Sequence, residues 1–542
     1  MGTALSRWHR LGGLAAFCLL APSLVLAAPD DTDQLALTLR PGDTLIGISQ
    51  RYLEQPARWP ELKRLNRIAN DRRLRPGSQL RIPVDWLRWS ELPADVVYVN
   101  GLVTGNNGPL SVGMQLKAGD SFDTGTQGSL TLRFADGAVA VFAPATRAGL
   151  GVSRQALLGG VRATRIELQR GAVDTTVVPL QDPASRFDIR TPRVVTAVRG
   201  TRFRVAVQDE ASRHEVLSGQ VALTGASPQP QGVGPGEGVR AEGGVLGAVT
   251  RLLAPPDLAP LPRRMERTAQ PLQLDPMAGA AGWRWQVAGD SGFGRLLQDV
   301  KTSTPDWVLA GLPDGDYHLR VRAADAQGLE GREAQLAFVL AAQPEPPLRI
   351  SPPGGASVVA GATLAWAEVA DAPAYHLQLA RDAGFTDLVL ERPGSASNRF
   401  VLEASLPPGP YRWRLATQRK DGTRGPFGDA GSFVVLEPSA VAPPQLGDGV
   451  VVLAWSGPSG FAHQIQVSSD ASFSSTEFDQ VVQGTSLGLP GLKPGAYQVR
   501  TRIVLPDGSN GPWSAVQRFE VPAPAPPPRP WYLLLLLLLP LL

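Results

Sequence analysis

SLTLRFADGAVAVF, residues 129–142, alternates polar and apolar positions from Ser129 to Phe134 and, after Asp136-Gly137, runs on as a short apolar strand-like stretch. A period of two marks a half-buried strand, and Asp-Gly between two strand-like runs suits a tight hairpin turn. Similar short runs extend from Val96 to about residue 250. They include IELQRGAVDTTV (166–177), which reads as two strands turning at Arg170-Gly171, then FDIRTPRVVTAVRGTRFRVAV (187–207) and HEVLSGQVALTG (214–225). Gly200 lacks the Lys-Ser/Thr of a phosphate loop and reads as a kink or close backbone approach within a strand. GVGPGEG (232–238) reads as a loop. Nothing here has helical spacing, so residues 95–250 are expected to be one all-β domain.

The rest of the 542-residue chain is too long for one core, and about three to five domains are expected. Arg7 and Arg10, an apolar run from Leu11 to Leu26, and Ala27-Ala28 have the form of a secretory signal peptide over residues 1–28. A retained membrane anchor is the alternative, because the run nears the ~20 residues that span a bilayer. Cys18, the only cysteine, lies in that run behind Phe17, a poor context for lipidation. The mature chain then has no disulfide and no cysteine metal site. Without Arg7 and Arg10 the net charge falls from +3 to +1. Residues 35–83 are different: ten Arg or Lys face four Asp or Glu, a net of +6. An anionic polymer suits that module, and for an exported chain a cell-wall glycan fits better than nucleic acid.

TLRPGDTLIGISQRYL (38–53) places a Pro41-Gly42 turn between a strand and a helix whose apolar stripe is Leu45, Ile48 and Tyr52. Asp43 or Thr44 can cap that helix. A second helix is expected over 59–68, with Trp59, Leu62, Leu65 and Ile68 as its stripe, and a strand over Gln79 to Ile82. The order is βααβ in about fifty residues, marginal as an independent fold. GDTLIGISQRY, WPELKRLNRI and LRPGSQLRIP, taken in order, resemble the LysM family. The resemblance implies binding of N-acetylglucosamine-containing glycans such as peptidoglycan. It places the groove at Gly42, Asp43, Thr44 and Leu45 with Ile68, Ala69 and Asn70, while Asn66 fixes the loop. Backbone groups and short polar side chains would bond sugar hydroxyls and N-acetyl groups, and apolar side chains would take the methyls.

The 95–250 segment resembles the FecR family's periplasmic domain through Gly119-Asp120, Thr124-Gly125, Asp136-Gly137, Thr191-Pro192, Arg199-Gly200-Thr201-Phe203 and Leu217-Ser218-Gly219. Founding members relay a signal from an outer-membrane transporter to a sigma factor through a cytoplasmic arm and a membrane helix. Only ten residues precede the apolar run here, so a periplasmic scaffold or sensor is expected ahead of a transmembrane sigma-factor regulator.

Residues 255–522 repeat a pattern three times. WQVAGDSGF, LQLARDAGF and IQVSSDASF set Asp290, Asp382 and Asp470 three residues before Phe293, Phe385 and Phe473. Tyr317, Tyr411 and Tyr497 each precede a glycine by fourteen residues. Strand alternation with Gly/Pro/Asp turns predicts β-sandwiches at 255–343, 347–437 and 441–522, loosely similar to fibronectin type III repeats. Their tyrosines are expected to bond backbone near a strand corner, and Pro-rich joints to act as semi-stiff spacers. Residues 523–542 form a Pro-rich linker and a twelve-residue apolar tail, too short to span a membrane and suited to membrane-surface or partner contact. His214, His318, His376 and His463 build no shared site, and no hydrolase or metal motif occurs. The expectation is a multidomain, mainly β, non-enzymatic envelope protein of a Gram-negative periplasm, without cofactor or metal. It would bind peptidoglycan through 35–83 and meet an envelope protein or membrane through the repeats and tail. A role as accessory to a cell-wall hydrolase is a further alternative.

Overall fold

The computed structural model describes residues 34–525 apart from 181, 371 and 448; the expected signal peptide and the apolar tail lie outside the described residues. The chain is mainly β, and α-helix occurs only between Leu45 and Leu65 among the described residues. Two compact units form. One holds the chain up to Leu261 with Gln273–Trp307 and Tyr317–Ala337; the other holds Pro262–Leu272, Val308–Asp316 and the chain from Phe338. The first repeat is thus divided between them.

In the first unit, β1 (Gln34–Thr38), α1 (Leu45–Tyr52), α2 (Trp59–Leu65) and β2 (Gln79–Pro83) follow in order, with β1 and β2 antiparallel from Gln34–Pro83 to Thr38–Gln79. Helix α2 is shorter than its sequence stripe suggested, and Leu65 is exposed. Steps of three residues turn 300°, so such a stripe drifts off the core face by 60° each time. Asn66 ends the helix: its Nδ2 donates to the Leu62 and Arg81 carbonyls at 2.9 and 2.8 Å, and its Oδ1 accepts the Arg81 N–H at 2.6 Å. Leu39, Leu45, Ile48, Leu53, Leu62, Leu80 and Ile82 form the core, which continues into Ala156, Leu158, Val161 and Ala184 of the next segment. A fifty-residue unit too small to bury a sufficient core alone borrows one from its neighbour.

Strands between Trp89 and Arg251 close a β-barrel. Those that matter below are β3 (Ala94–Asn100), β4 (Ser129–Arg133), β5 (Val139–Phe142), β6 (Arg162–Thr176), β7 (Arg202–Gln208) and β8 (Ala211–Ser218). β4 and β5 form the hairpin expected at Asp136-Gly137. Arg170-Gly171 is no turn: β6 runs through it, pairing first with Arg147–Ala156 and then with β5 and β7. Gly171 has φ +89°, and a Cβ there would lie 2.4 Å from the Thr146 Cα, so the glycine bends one strand across two sheets. Gly200 has φ +71° and would place a Cβ 2.6 Å from the Pro179 Cα, the close approach expected of it. The glycine-rich stretch 232–238 is only partly loop, because its ends belong to strands Gln231–Val233 and Glu237–Glu242.

The repeats share one three-strand arrangement. β9 (Gly282–Ala288) lies between β10 (Leu296–Thr302) and β11 (Gly315–Ala324). In the second unit β12 (Ala374–Ala380) lies between β13 (Leu388–Ser395) and β14 (Gly409–Gln418). There too β15 (Ala462–Ser468) lies between β16 (Phe478–Gln483) and β17 (Gly495–Val504). Phe293, Phe385 and Phe473 all have φ near +56°, held because Asp290, Asp382 and Asp470 accept backbone N–H groups of the same turn. Each ring carries a guanidinium, Arg320 at 4.1 Å and Arg414 and Arg500 at 4.0 Å from the centroid. A glutamine holds each arginine Nε (Gln286, Gln378, Gln466) and donates to Asp299, Glu391 and Asp479 respectively. Tyr411 and Tyr497 donate to the carbonyls of Pro407 and Lys493, as expected of a strand corner. The joint at 344–353 is tied to the second repeat, because Thr417 Oγ1 donates to the Glu345 carbonyl.

Candidate glycan-binding site

Leaving β1, the chain buries Leu39 and turns at Arg40–Asp43. Arg40 N–H donates to Asp43 Oδ2 at 2.6 Å, Asp43 N–H returns to the Arg40 carbonyl at 3.1 Å, and Gly42 has φ +89°. Thr44 is the N-cap: its Oγ1 accepts the Gly47 N–H at 3.0 Å, which leaves the hydroxyl proton for another acceptor. Asp43 Oδ1 has no partner among the described residues. Leu45 sends its side chain into the core and offers a ligand only its backbone. Ile46 is instead 47 % exposed beside the turn. It is an apolar residue off the Leu45/Ile48/Tyr52 stripe, and that misfit with the helical period was the signal sequence reading missed.

The second loop follows Asn66. Arg67 has φ +52°, Ile68 is half-buried against the core, and Ala69 and Asn70 are exposed. Asn70 Oδ1 accepts the Arg72 N–H at 2.9 Å, and Lys63 holds Asp71 at 2.7 Å. Hydrogen bonding to Lys63 lowers the Asp71 carboxyl below its ordinary value. Leu45 and Ile68 pack in one cluster, which fixes the two loops on a common core. Gly42, Asp43 and Thr44 share a single turn, and no hydrogen bond joins that turn to Ala69 or Asn70 among the described residues. What the surface offers is a free carboxylate oxygen, a hydroxyl proton, unpaired first-turn amides and one exposed aliphatic side chain, amid arginines.

Residues 37–83 match the LysM domain. Residues 120–222, inside the barrel, match the FecR protein family. LysM and FecR domains are non-catalytic binding and signalling domains typical of extracytoplasmic or envelope proteins, and LysM domains bind N-acetylglucosamine-containing glycans such as peptidoglycan. Among curated proteins, none matches the chain. Two crystal structures of a protein assigned as an anti-sigma factor from Parabacteroides distasonis ATCC 8503 are 16 % and 17 % identical, with TM-scores of 0.21 and 0.20. The matches cover 24 % and 28 % of this chain and 59 % and 60 % of those chains, so this chain spans less than two thirds of their length. The crystal structure of the chicken CNTN1 FN1–FN3 domains is 17 % identical over 48 % of this chain and 96 % of that one, with a TM-score of 0.20.

His214 is buried between Ser212 Oγ (2.8 Å) and Thr196 Oγ1 (2.9 Å), and burial pushes it down to about 3. A Ser–His pair without access, and with a threonine where a carboxylate would orient the ring, is a core hydrogen-bond chain.

Proposed function

We propose that the chain is a non-enzymatic envelope protein of the Gram-negative periplasm, exported by its N-terminal signal peptide and held on peptidoglycan by its LysM segment. The observation that carries this reading is the LysM match along the whole βααβ unit. The glycan would lie on the Gly42-Asp43-Thr44 turn, the backbone at Leu45, and Ile68, Ala69 and Asn70, with Ile46 against an N-acetyl methyl. The FecR-like barrel acts as a scaffold or sensor, and the sandwich repeats extend toward an envelope partner or membrane surface. The FecR match favours one second reading, a relay to a sigma factor; it requires that deleting the protein change transcription of a defined regulon.

Co-sedimentation of the full chain with insoluble peptidoglycan tests the primary reading. At 1 M salt the Debye length is ~3 Å, so binding by the basic surface alone is screened away. Retention in the pellet at that salt supports a glycan site. Loss there, with no effect of substitutions at Ile46 or Asn70, leaves only a polycation.

A further inference from the structure

We propose that a cleft between the barrel and the Asp290–Arg295 turn of the first repeat binds an amphiphilic organic anion, an apolar body carrying a carboxylate. Both walls belong to the first compact unit, and the cleft has a volume of about 590 Å³, within the ~300–1,000 Å³ of small-molecule sites. The proposal is independent of the glycan site.

Strand register defines the floor. Arg133 pairs with Val139, Val139 with Thr176, and Thr176 with Arg202; the neighbouring row is Thr131, Val141, Asp174 and Arg204. Positions two apart share a face, so both rows point outward from the barrel. The repeat covers the second row: Thr131 donates to the Gly294 carbonyl at 2.6 Å, Asp174 takes Arg320 and Arg322, and Arg204 donates to the carbonyls of Glu330 and Gly331. The first row stays open, with a valine and a threonine between two arginines, and Val97 and Leu217 add to its apolar lining.

Cations exceed anions in this lining. Asp174 is already clasped by two arginines, and the oxygens of Asp290 accept the Gly294 and Arg295 amides. Arg133 is exposed and has no ion pair among the described residues, whereas Arg295, 61 % exposed, lies 3.9 Å from Asp290 Oδ1 and donates to the Gly289 carbonyl.

The other repeats differ at this edge. Two residues after Gly425 and Gly511 stand Phe427 and Trp513, whose rings lie 4.4 Å from the guanidiniums of Arg414 and Arg500. Two residues after Gly331 stands Glu333, which turns to Arg202 at 2.6 Å. An acid in place of the aromatic ring lets this edge pair with the barrel through Arg202 while staying within 3.6 Å of Arg320.

The test is titration of the full chain with cis-parinarate, a fluorescent polyene carboxylate, followed by displacement with dodecanoate, dodecanol and dodecylammonium. Saturable binding is expected, with dodecanoate displacing the probe at least tenfold better than dodecanol and dodecylammonium weakest. Arg133→Ala with Arg295→Ala should weaken the probe at least tenfold while circular dichroism and the melting profile stay unchanged. Val139→Trp, which fills the floor, should block binding by steric means alone. Non-saturable binding, equal displacement by the alcohol, or full affinity in both variants would overturn the proposal.

Discussion

Asp174 on β6 of the barrel and Arg322 on β11 of the first repeat meet at 2.5 Å. Arg320 reaches the same carboxylate at 3.0 Å, and Arg322 turns its other nitrogen to Glu330 at 2.9 Å. Glu330 also takes Arg284, which forks onto Asp299 at 2.8 and 2.7 Å. Burial pulls the Asp174 carboxyl up, but Arg322, Arg320, Arg284 and Arg204 together outweigh it and hold it far below the usual range. Glu330 is held low by the same balance, with burial opposed chiefly by Arg284 and Arg322. Such a cluster costs much desolvation and is stable only complete. The barrel and these strands of the first repeat therefore behave as one folded body.

Asp174→Asn keeps the shape and removes the charge, leaving Arg320 with Glu333 alone and Arg322 with Glu330 and Glu333. Breaking a buried pair from one side costs about 3–5 kcal/mol. Scanning calorimetry should show the first unit's transition moving down while the second unit's stays in place.

Acid should destabilise the protein in two steps. His214 is neutral in the fold, with its value lowered from 6.5 to about 3. The unfolded chain binds that proton first, so its contribution is full above pH 6.5 and is lost as pH falls toward 3. At 1.36 kcal/mol per unit, going from pH 6.5 to 4.5 costs roughly 2–3 kcal/mol. Asp174, Glu330 and Glu333 are lowered carboxylates, so their contribution holds above about pH 4 and fades below it. His214→Gln should flatten stability between pH 6.5 and 4.5, in urea titrations at each pH, and leave the lower step unchanged.

Trp513 lies 4.4 and 4.3 Å from the guanidiniums of Arg500 and Arg502. Two part-exposed cation–π contacts contribute about 1–2 kcal/mol together. Trp513→Ala should lower the melting temperature of the second unit by a few degrees, and Trp513→Phe should recover most of it.

Strand alternation and turn chemistry made the all-β class legible, and the hairpin at Asp136-Gly137 formed where the sequence placed it. Arg170-Gly171 carried the same local signal and bent a continuous strand instead, because a glycine at positive φ looks alike in a turn and a bend. The Asp-x-x-Phe spacing exposed the repeats, but not the arginine stacked on each ring, which comes from a strand some thirty residues later. Asp174, Arg204, Arg284, Arg322 and Glu330 look in sequence like outward charges on alternating strands. Only the docking of the repeat onto the barrel buries them. At the glycan site the turn and its cap were readable from Pro41 to Thr44, whereas the burial of Leu45 and exposure of Ile46 depend on which face α1 turns to the core.

Shared packing bears on how the LysM segment can be tested. Deleting residues 34–83 would bare Ala156, Leu158, Val161 and Ala184. The shortened chain should bind a hydrophobic dye and aggregate, whereas Ile46→Glu, a surface change, should leave the melting profile within about 0.5 kcal/mol of the parent. Point substitutions therefore report on the site, and truncation reports on the core.

Calorimetric titration of the full chain with a soluble N-acetylglucosamine pentamer, at 0.15 M and 1 M salt, tests the central claim most directly. The account predicts saturable binding of similar affinity at both salts, weakened at least tenfold by Ile46→Glu in a chain that melts normally. No saturable binding of the pentamer, or binding that disappears at 1 M salt and ignores Ile46→Glu, would contradict it.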